Sequence, residues 1–541
     1  MEHRERGDSG GGPMTLSRRA LFRTAAALGV AGAAGAWQLS VDSPADRLHL
    51  TSAARLPEPF TLPLTVPPVL APEGRDATTD YYRITQRVAN ATVLPGYSTP
   101  VWGYNGIFPG PTVISDRARR TVVTHRNELP VPVVVHLHGG HIPEESDGYP
   151  IDLLYPVGGG PGDMGEMSMA DMGGHPDPSA HTMIGERDYT YPAGQPAATL
   201  WYHDHRMDFT GPAVWRGLAG FHLVTDAAEQ RLGLPSGARD IPIMLADRAF
   251  GADGGFLYPA LDPTSLHTPG VGGKFGRGVL GDVVLVNGVP WPAHRVDTAR
   301  YRLRLLNGSN ARVYRLRFDR RGGSLPIVQI GSDGGLLARP QELTELTIAP
   351  GERYDVIVDF SGCAVGEQIT VYNDLGAGTT TRVMRFEVAD RVIDTSVIPD
   401  RLADFETLER RGAVTTRRFA FRQGDAGGMR GWVINGRAYD PVTPIARPKL
   451  GEVEIWQLST DLDHPIHLHL NQFQVLSRDG RPPRPADGGW KDTLYLTATG
   501  MAEIAVRFTD HAGRFVLHCH NLEHEDMAMM ATFTTVADVA S

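Results

Sequence analysis

The sequence predicts an all-β protein built from three β-sandwich units, and three observations carry that prediction. Its 541 residues call for about three domains at roughly 100 to 200 residues each. Glycine and proline, at 62 and 41 residues, exceed a typical combined share of roughly 12% and point to many turns. Apolar and polar residues also alternate with period two in short runs, the pattern of half-buried strands. Within 300–305, for example, Tyr301, Leu303 and Leu305 share one face while Arg302 and Arg304 share the other, expected to face solvent. Similar runs occupy 131–138, 282–287, 353–360, 452–458 and 503–508. Asn-Gly pairs at Asn105-Gly106, Asn287-Gly288, Asn307-Gly308 and Asn435-Gly436 supply turns between strands.

In chain order, the first element is a leader. Ser17-Arg18-Arg19-Ala20-Leu21-Phe22-Arg23 precedes an apolar run that ends in Ala34-Gly35-Ala36, and 1–36 therefore resembles a twin-arginine export signal. The run is too short and too rich in Gly and Ala to cross a bilayer, and no other apolar stretch reaches about 18 residues. No transmembrane anchor is expected in the mature chain, whose destination would be the periplasm, the cell envelope or the medium. An N-terminal arm follows over 37–78. The three units are then expected at 79–228, with a Gly- and Met-rich insertion over 157–183, at 238–388, and at 412–541. Helical pattern is sparse; its best candidate is the charge-rich linker segment 400–411. Cys363 and Cys519 are the only cysteines, so one disulfide is the most an exported chain could form here. Cys363 reads as a small buried hydrophobe. A net charge of −10 gives no electrostatic drive toward phosphate backbones, so nucleic acid is not an expected partner.

Four His-x-His pairs stand out: His136-Leu137-His138, His203-Asp204-His205, His467-Leu468-His469 and His518-Cys519-His520. Residues i and i+2 of a strand point to one face, so each pair aims two imidazoles at one place. A single pair fits a zinc hydrolase or two structural histidines equally well. Four pairs fit a shared metal centre. Two pairs fall in the first unit, two in the third and none in the second. A shared site is thus expected between the outer units, with the middle unit a spacer or a wall of the substrate site.

Strand alternation turns Cys519 to the face opposite His518 and His520, which suggests two different metal sites joined by one short covalent path. Cys519, His524, the upstream His464 and the thioether of Met529 make up the His2Cys set with a weak axial Met of a blue-copper site. Pro465 is expected to set a turn that sends His464 to this mononuclear site while His467 and His469 face the cluster.

These segments together resemble the three-domain multicopper oxidases, closest in pattern to spore-coat laccases, bilirubin oxidases and phenoxazinone synthases. The likeness extends to Gly103-Tyr104-Asn105-Gly106-Ile107-Phe108-Pro109-Gly110-Pro111-Thr112 and to Ala349-Pro350-Gly351-Glu352-Arg353-Tyr354-Asp355, and covers nearly the whole mature chain. It implies three cupredoxin-like Greek-key β-sandwich domains and four copper ions. The type 1 copper would take His464, Cys519, His524 and Met529, since the family places its axial residue five positions after the histidine. The type 2 copper would take His136 and His467, and the type 3 pair His138, His203, His205, His469, His518 and His520.

The resemblance further implies one-electron oxidation of a small donor at the type 1 site, passage of electrons through Cys519 to the cluster, and four-electron reduction of dioxygen to water. Asp147 and Glu525 match carboxylates that the family uses to supply protons. The expected function is an exported laccase-type oxidase of phenols, aminophenols or related aromatics, acting as a monomer. Two other readings remain open on the sequence. One is an oxidase of Cu(I), for which the insertion offers Met164, Met167, Met169, Met172 and Met183 with His175 and His181, soft thioethers being suited to cuprous ion. The other is a biosynthetic oxidase that couples aminophenols or forms a tetrapyrrole pigment. A copper-storage or electron-carrier protein needs only the mononuclear site, and the eight cluster histidines speak against it.

Overall fold

The computed structural model describes residues 47–160, 180–192, 194–273, 275–425 and 430–537. The expected leader lies outside the described residues, as do Met164, Met167, Met169, Met172 and His175 of the insertion.

Three pairs of β-sheets follow one another along the chain. The first pair comprises a five-stranded and a four-stranded sheet, the second a seven- and a six-stranded sheet, and the third a five- and a four-stranded sheet. One device recurs in each. The first long strand lies parallel to a later strand of its own sheet: Thr79–Ala91 with Arg120–Asn127, Asp240–Arg248 with Arg300–Asn307, and Ala413–Asp425 with Val453–Thr460. A tight hairpin cannot join parallel neighbours. Between the two strands the chain visits the opposite sheet, at Gly110–Asp116 in the first pair and at Ala293–Val296 in the second. In the third pair the chain touches the opposite sheet through a parallel bridge, Ala446 with Phe533, so each pair is closed into a sandwich. The sandwich interiors hold apolar clusters, with Val123, Val133 and Leu200 in the first, Leu303, Val356 and Phe386 in the second, and Trp456, Phe515 and Phe533 in the third.

The arm before the first sandwich touches all three. Arg47 pairs with Asp463 at 2.9 Å, Leu48–His49 lies parallel to Val279–Leu280, and Leu70 N–H donates to Thr112 O at 2.8 Å.

Two expectations need correction. The segment 400–411 is not a helix: it is irregular chain that ends in the single turn Arg410–Gly412. Leu402 packs with Leu234, Ile330, Leu337 and Ile357, whereas Leu408 packs with Ile455 and Ala505. The linker is therefore pinned to two sandwiches, and extended chain covers about 3.3 Å per residue against about 1.5 Å in a helix. The second correction concerns Arg302 and Arg304, which are 4% and 3% exposed rather than facing solvent. Their strand lies inside the seven-stranded sheet. The arginine side packs toward the first sandwich, where Arg304 reaches Thr199 Oγ1 at 3.3 Å. Arg302 pairs there with Glu229 and Asp355, and Arg304 with Asp240.

Candidate metal centre

The four-stranded sheets of the first and third sandwiches carry the histidines. In the first, Val135–His138 pairs with Ala198–Asp204 so that His203 lies opposite His136. In the third, His464–Leu468 pairs with Gly513–Cys519 so that His467 lies opposite His518 and Ile466 opposite Cys519. Residues directly opposite in an antiparallel pair share a face. His467 and His518 therefore point one way, and Cys519 points the other way with Ile466 and His464. This corrects the role expected of Pro465. No turn occurs there, because Pro465 sits within the strand opposite Tyr495. His464 and His467 diverge because they are three residues apart in a repeat of two.

Ten histidines converge at two places, and none of them is more than 1% exposed. Across the seam between the outer sandwiches, His136 Nε2 lies 3.4 Å from His467 Nε2. His518 Nε2 lies 3.3 Å from His205 Nε2 across the same seam and 3.2 Å from His469 Nε2 within the third sandwich. His138, His203 and His520 complete the group, with ring centroids 4.9 Å apart for His138 and His520 and 5.3 Å for His203 and His520.

The hydrogen bonds fix which nitrogen of each ring is bare. His136 Nδ1 donates to Asp147 O, His203 Nδ1 to Asp204 O at 2.8 Å, His467 Nδ1 to Asp492 O at 2.9 Å, and His518 Nδ1 to Cys519 O at 3.1 Å. A carbonyl only accepts, so each of these rings carries its proton on Nδ1 and turns a lone pair inward from Nε2. His138 is held the other way round. Its Nε2 donates to Asp492 Oδ1 at 3.1 Å, which leaves a buried Nδ1 without a partner. His203 Nε2, His205 Nδ1 and both nitrogens of His520 are likewise buried and unpartnered. Burial, reinforced by neighbouring imidazoles, holds the titration of His136, His138, His203, His469, His518 and His520 well below the ordinary histidine value. Rings facing one another lone pair to lone pair at such distances form a donor set that a cation between them would satisfy.

The second group forms on the opposite face of the same strand. His464 Nδ1 lies 3.3 Å from Cys519 Sγ and 3.1 Å from His524 Nδ1, and Sγ lies 3.6 Å from His524 Nδ1. His524 Nε2 donates to Gly276 O at 3.2 Å, so Nδ1 is its inward lone pair. Asn521 N–H points at Sγ from 3.4 Å, and burial raises the Cys519 thiol well above its usual value. Trp432 stacks on the His524 ring with centroids 3.9 Å apart. Met529 N–H donates to His524 O at 3.0 Å, and Met529 shares an apolar cluster with Cys519. Met530 packs elsewhere, with Tyr149, Ile151, Met207 and Val516.

Both carboxylates named from the sequence reach the larger group. Asp147 Oδ2 accepts from His469 Nδ1 at 2.8 Å. Glu525 Oε2 lies 3.2 Å from His518 Nδ1, and Oε1 lies 3.8 Å from His205 Nε2. Burial pushes the Asp147 carboxyl well above the usual carboxylate range, with Asp152 and Glu144 adding to it. Burial also raises Glu525, against the pull of His205.

Several functional neighbours were not visible in the sequence. Asp492 holds both His138 and His467, and Arg353 grips Asp492 by two bonds of 2.7 and 2.6 Å. Although burial alone would raise the Asp492 carboxyl, the Arg353 guanidinium holds it below its ordinary value. Lys491, Asp333 and Glu352 form a buried charge cluster beside this pair. The middle sandwich is thus more than a spacer or a wall of the substrate site. Its Gly351, at φ +83, sits so close that a Cβ would lie 2.9 Å from His520 Cδ2 and 3.1 Å from His138 Cε1. The only signal available was the 349–355 motif, whose position in space a single sequence does not reveal.

A buried eight-histidine group joined through one tripeptide to a buried His2Cys group defines a class of metalloprotein, a redox protein with two linked metal sites. Models of the multicopper oxidase family match residues 86–158, 275–385 and 412–539. The chain is 36% identical over 531 residues to a laccase of Bacillus subtilis, covering 87% of this chain and 98% of that one. It is 35% identical over 509 residues to a bilirubin oxidase of Albifimbria verrucaria, covering 88% and 81%. A crystal structure of a multicopper oxidase from Pediococcus acidilactici superposes with a TM-score of 0.75 at 30% identity, covering 92% of this chain and 95% of that one. The chain belongs to the multicopper oxidase family and is of the laccase type, a copper oxidoreductase that uses dioxygen. Inward lone pairs without partners, together with one thiol among imidazoles, are a donor set that fits copper. Among the described residues, no helix is long and apolar enough to cross a membrane.

Proposed function

We propose that the chain binds four copper ions and couples one-electron oxidation of phenols or aminophenols to reduction of dioxygen to water. The observation that carries this is the placement of two separate donor sets on opposite faces of His518-Cys519-His520. His464, Cys519, His524 and Met529 would hold the type 1 ion. His136 and His467 would hold the type 2 ion, and His138, His203, His205, His469, His518 and His520 the type 3 pair. Copper supplies stored single electrons, four of which reduce one dioxygen. The chain supplies the rest. Cys519 joins the two groups covalently, three residues spanning both. Asp147 and Glu525, whose carboxyls burial shifts upward, stand beside His469 and His518 as the groups that would pass protons.

Donor access is supported at the edge of the His464 ring. Asp461, with its side chain 28% exposed, lies 3.3 Å from His464 Nε2, so only one residue separates this imidazole from solvent. The aromatic donor class rests on the laccase and bilirubin oxidase relatives. All eight cluster histidines come from one chain, which supports a monomer. The division of the strands into three sheet pairs supports three units, proposed at 79–228, 238–388 and 412–541, with Gly74–Arg75 adding a short strand to the first sheet. Export by the twin-arginine route, to the periplasm, the cell envelope or the medium, rests on residues 17–36.

The test is dioxygen uptake by the copper-loaded mature protein, with a dimethoxyphenol and with Cu(I) as alternative donors. Faster uptake with the phenol is expected. Faster uptake with Cu(I) would overturn the aromatic reading in favour of a cuprous oxidase.

A further inference from the structure

Arg353 bonds to all three sandwiches at once. It belongs to the second, and its Nε donates to Thr199 O of the first at 2.9 Å. Nη1 and Nη2 reach Asp492 of the third at 2.7 and 2.6 Å. Nη1 also donates to Gly351 O at 3.1 Å and Nη2 to Asp333 O at 3.0 Å. The side chain is fully buried, as is that of Asp492.

Asp492 in turn contacts one histidine from each outer sandwich. Its carboxylate accepts from His138 Nε2 at 3.1 Å and its carbonyl from His467 Nδ1 at 2.9 Å. The carboxylate decides the tautomer of His138, leaving Nδ1 as the bare nitrogen, opposite to the arrangement in His136, His203, His467 and His518. Asp333 secures the same segment by accepting from the backbone N–H groups of Asp492 and Thr493, each at 3.2 Å. Glycine adjoins the pair on the other side. Gly139 follows His138 at φ +87, and a Cβ there would collide with Arg353 Nη2 and Asp492 Oδ2.

We propose that the Arg353–Asp492 ion pair is the positioning device through which the middle sandwich, which supplies none of the paired histidines, sets the orientation of His138 and His467, and so controls copper loading of the joint site. This rests on the copper assignment proposed above. A planar guanidinium bonded twice to a carboxylate fixes that carboxylate in rotation as well as in position. Partners of this kind behind metal ligands are typically worth about 10- to 100-fold in metal affinity.

The experiment compares wild type with Arg353→Lys, Arg353→Met and Asp492→Asn, each loaded with copper and then challenged with a graded chelator. Copper per chain is counted, the blue thiolate band reports the mononuclear site, and electron paramagnetic resonance reports the type 2 ion. Wild type with four ions and a blue band would establish the assignment before any variant is considered. The expected result is that all three variants keep the blue band while joint-site copper is released at about 10- to 100-fold lower chelator. The type 2 signal should change even in Arg353→Lys, which keeps the charge but loses the fork. Arg302→Lys, at a buried arginine that bonds to Glu229 and Asp355 and not to Asp492, is the control and should keep wild-type copper release. Unchanged joint-site release and an unchanged type 2 signal in Arg353→Lys and Asp492→Asn would overturn the proposal. Equal losses in the Arg302→Lys control would overturn it too, reducing Arg353 to one more packing residue.

Discussion

A histidine that gives its Nδ1 proton to a backbone carbonyl keeps only a lone pair at Nε2, and in this molecule that single constraint sets the chemistry of His136, His203, His467 and His518. The eight cluster histidines were legible in the sequence because the His-x-His spacing matches the strand repeat of two, whereas Cys519, His464 and His524 were legible through their places within or beside those pairs. Their acceptors were not, since a carbonyl is present at every residue and Asp492 lies in a segment, 489–493, that carries no pattern of its own. Glu525 was legible only through its place beside His524. The structure gives it a reason to matter: it is buried, burial shifts its carboxyl upward, and its Oε2 lies 3.2 Å from His518 Nδ1. Glu525→Gln keeps the shape and removes the transferable proton. The blue band should survive, and steady-state dioxygen uptake should fall about 100-fold. Uptake equal to wild type in oxygen-electrode measurements would remove Glu525 from the proton path.

At the scale of elements, the alternation of side chains located strands well and their surroundings poorly. The run 300–305 is a strand, as its pattern indicates, yet its polar face is buried against another sandwich. Period two distinguishes two faces without saying what covers each. Proline raised the reverse difficulty. Pro465 suggested a turn, but its carbonyl, which accepts from His520 N–H at 2.6 Å, still serves the strand even though the ring lacks a donor of its own. The short helix Glu144–Asp147 shows an element whose value lies in where it stops. It ends at Gly148, φ +79, packed so tightly on the Val135–His138 strand that a Cβ would collide with Val135 O. That stop places Asp147 to accept from His136 through its carbonyl and from His469 through its carboxylate. In Gly148→Ala the left-handed backbone alone costs about 1 to 2 kcal/mol, and the collision displaces Asp147 further. A lower melting temperature and easier loss of joint-site copper to chelator should appear together. A melting temperature within error of wild type would mean that the turn relaxes without moving Asp147.

Across the whole molecule, three sandwiches share one metal seam, and the distribution of histidine pairs foretold the seam but not the part the middle sandwich plays in it. Two further histidines were passed over because neither belongs to a pair, and they dominate a different property. His125 and His222 lie inside the first sandwich, away from the metal groups. His125 Nδ1 faces Gln86 Nε2 at 2.8 Å, and His222 Nε2 faces Ser115 Oγ at 2.6 Å. Burial pushes each titration down to about 3. In the unfolded chain each takes a proton near the ordinary value of about 6.5, whereas the folded core refuses it until about pH 3. The unfolded state therefore binds more protons throughout that window, and stability falls as pH is lowered from about 6.5 toward 3. Each site is worth about 2 kcal/mol at pH 5. Buried carboxyls oppose this trend: Glu523 and Asp204 are raised to about 7, so the fold holds their protons and stability falls as pH rises toward 7. The two effects place the optimum between them, and a single-site comparison separates them. His222→Gln keeps a polar partner for Ser115 and cannot be protonated. Urea midpoints of the copper-loaded protein between pH 5 and 7 should therefore fall less steeply with acid in the variant than in wild type, by about one proton. Parallel slopes would show that His222 is already solvated or charged inside the fold, and the acid sensitivity would then belong to the metal seam.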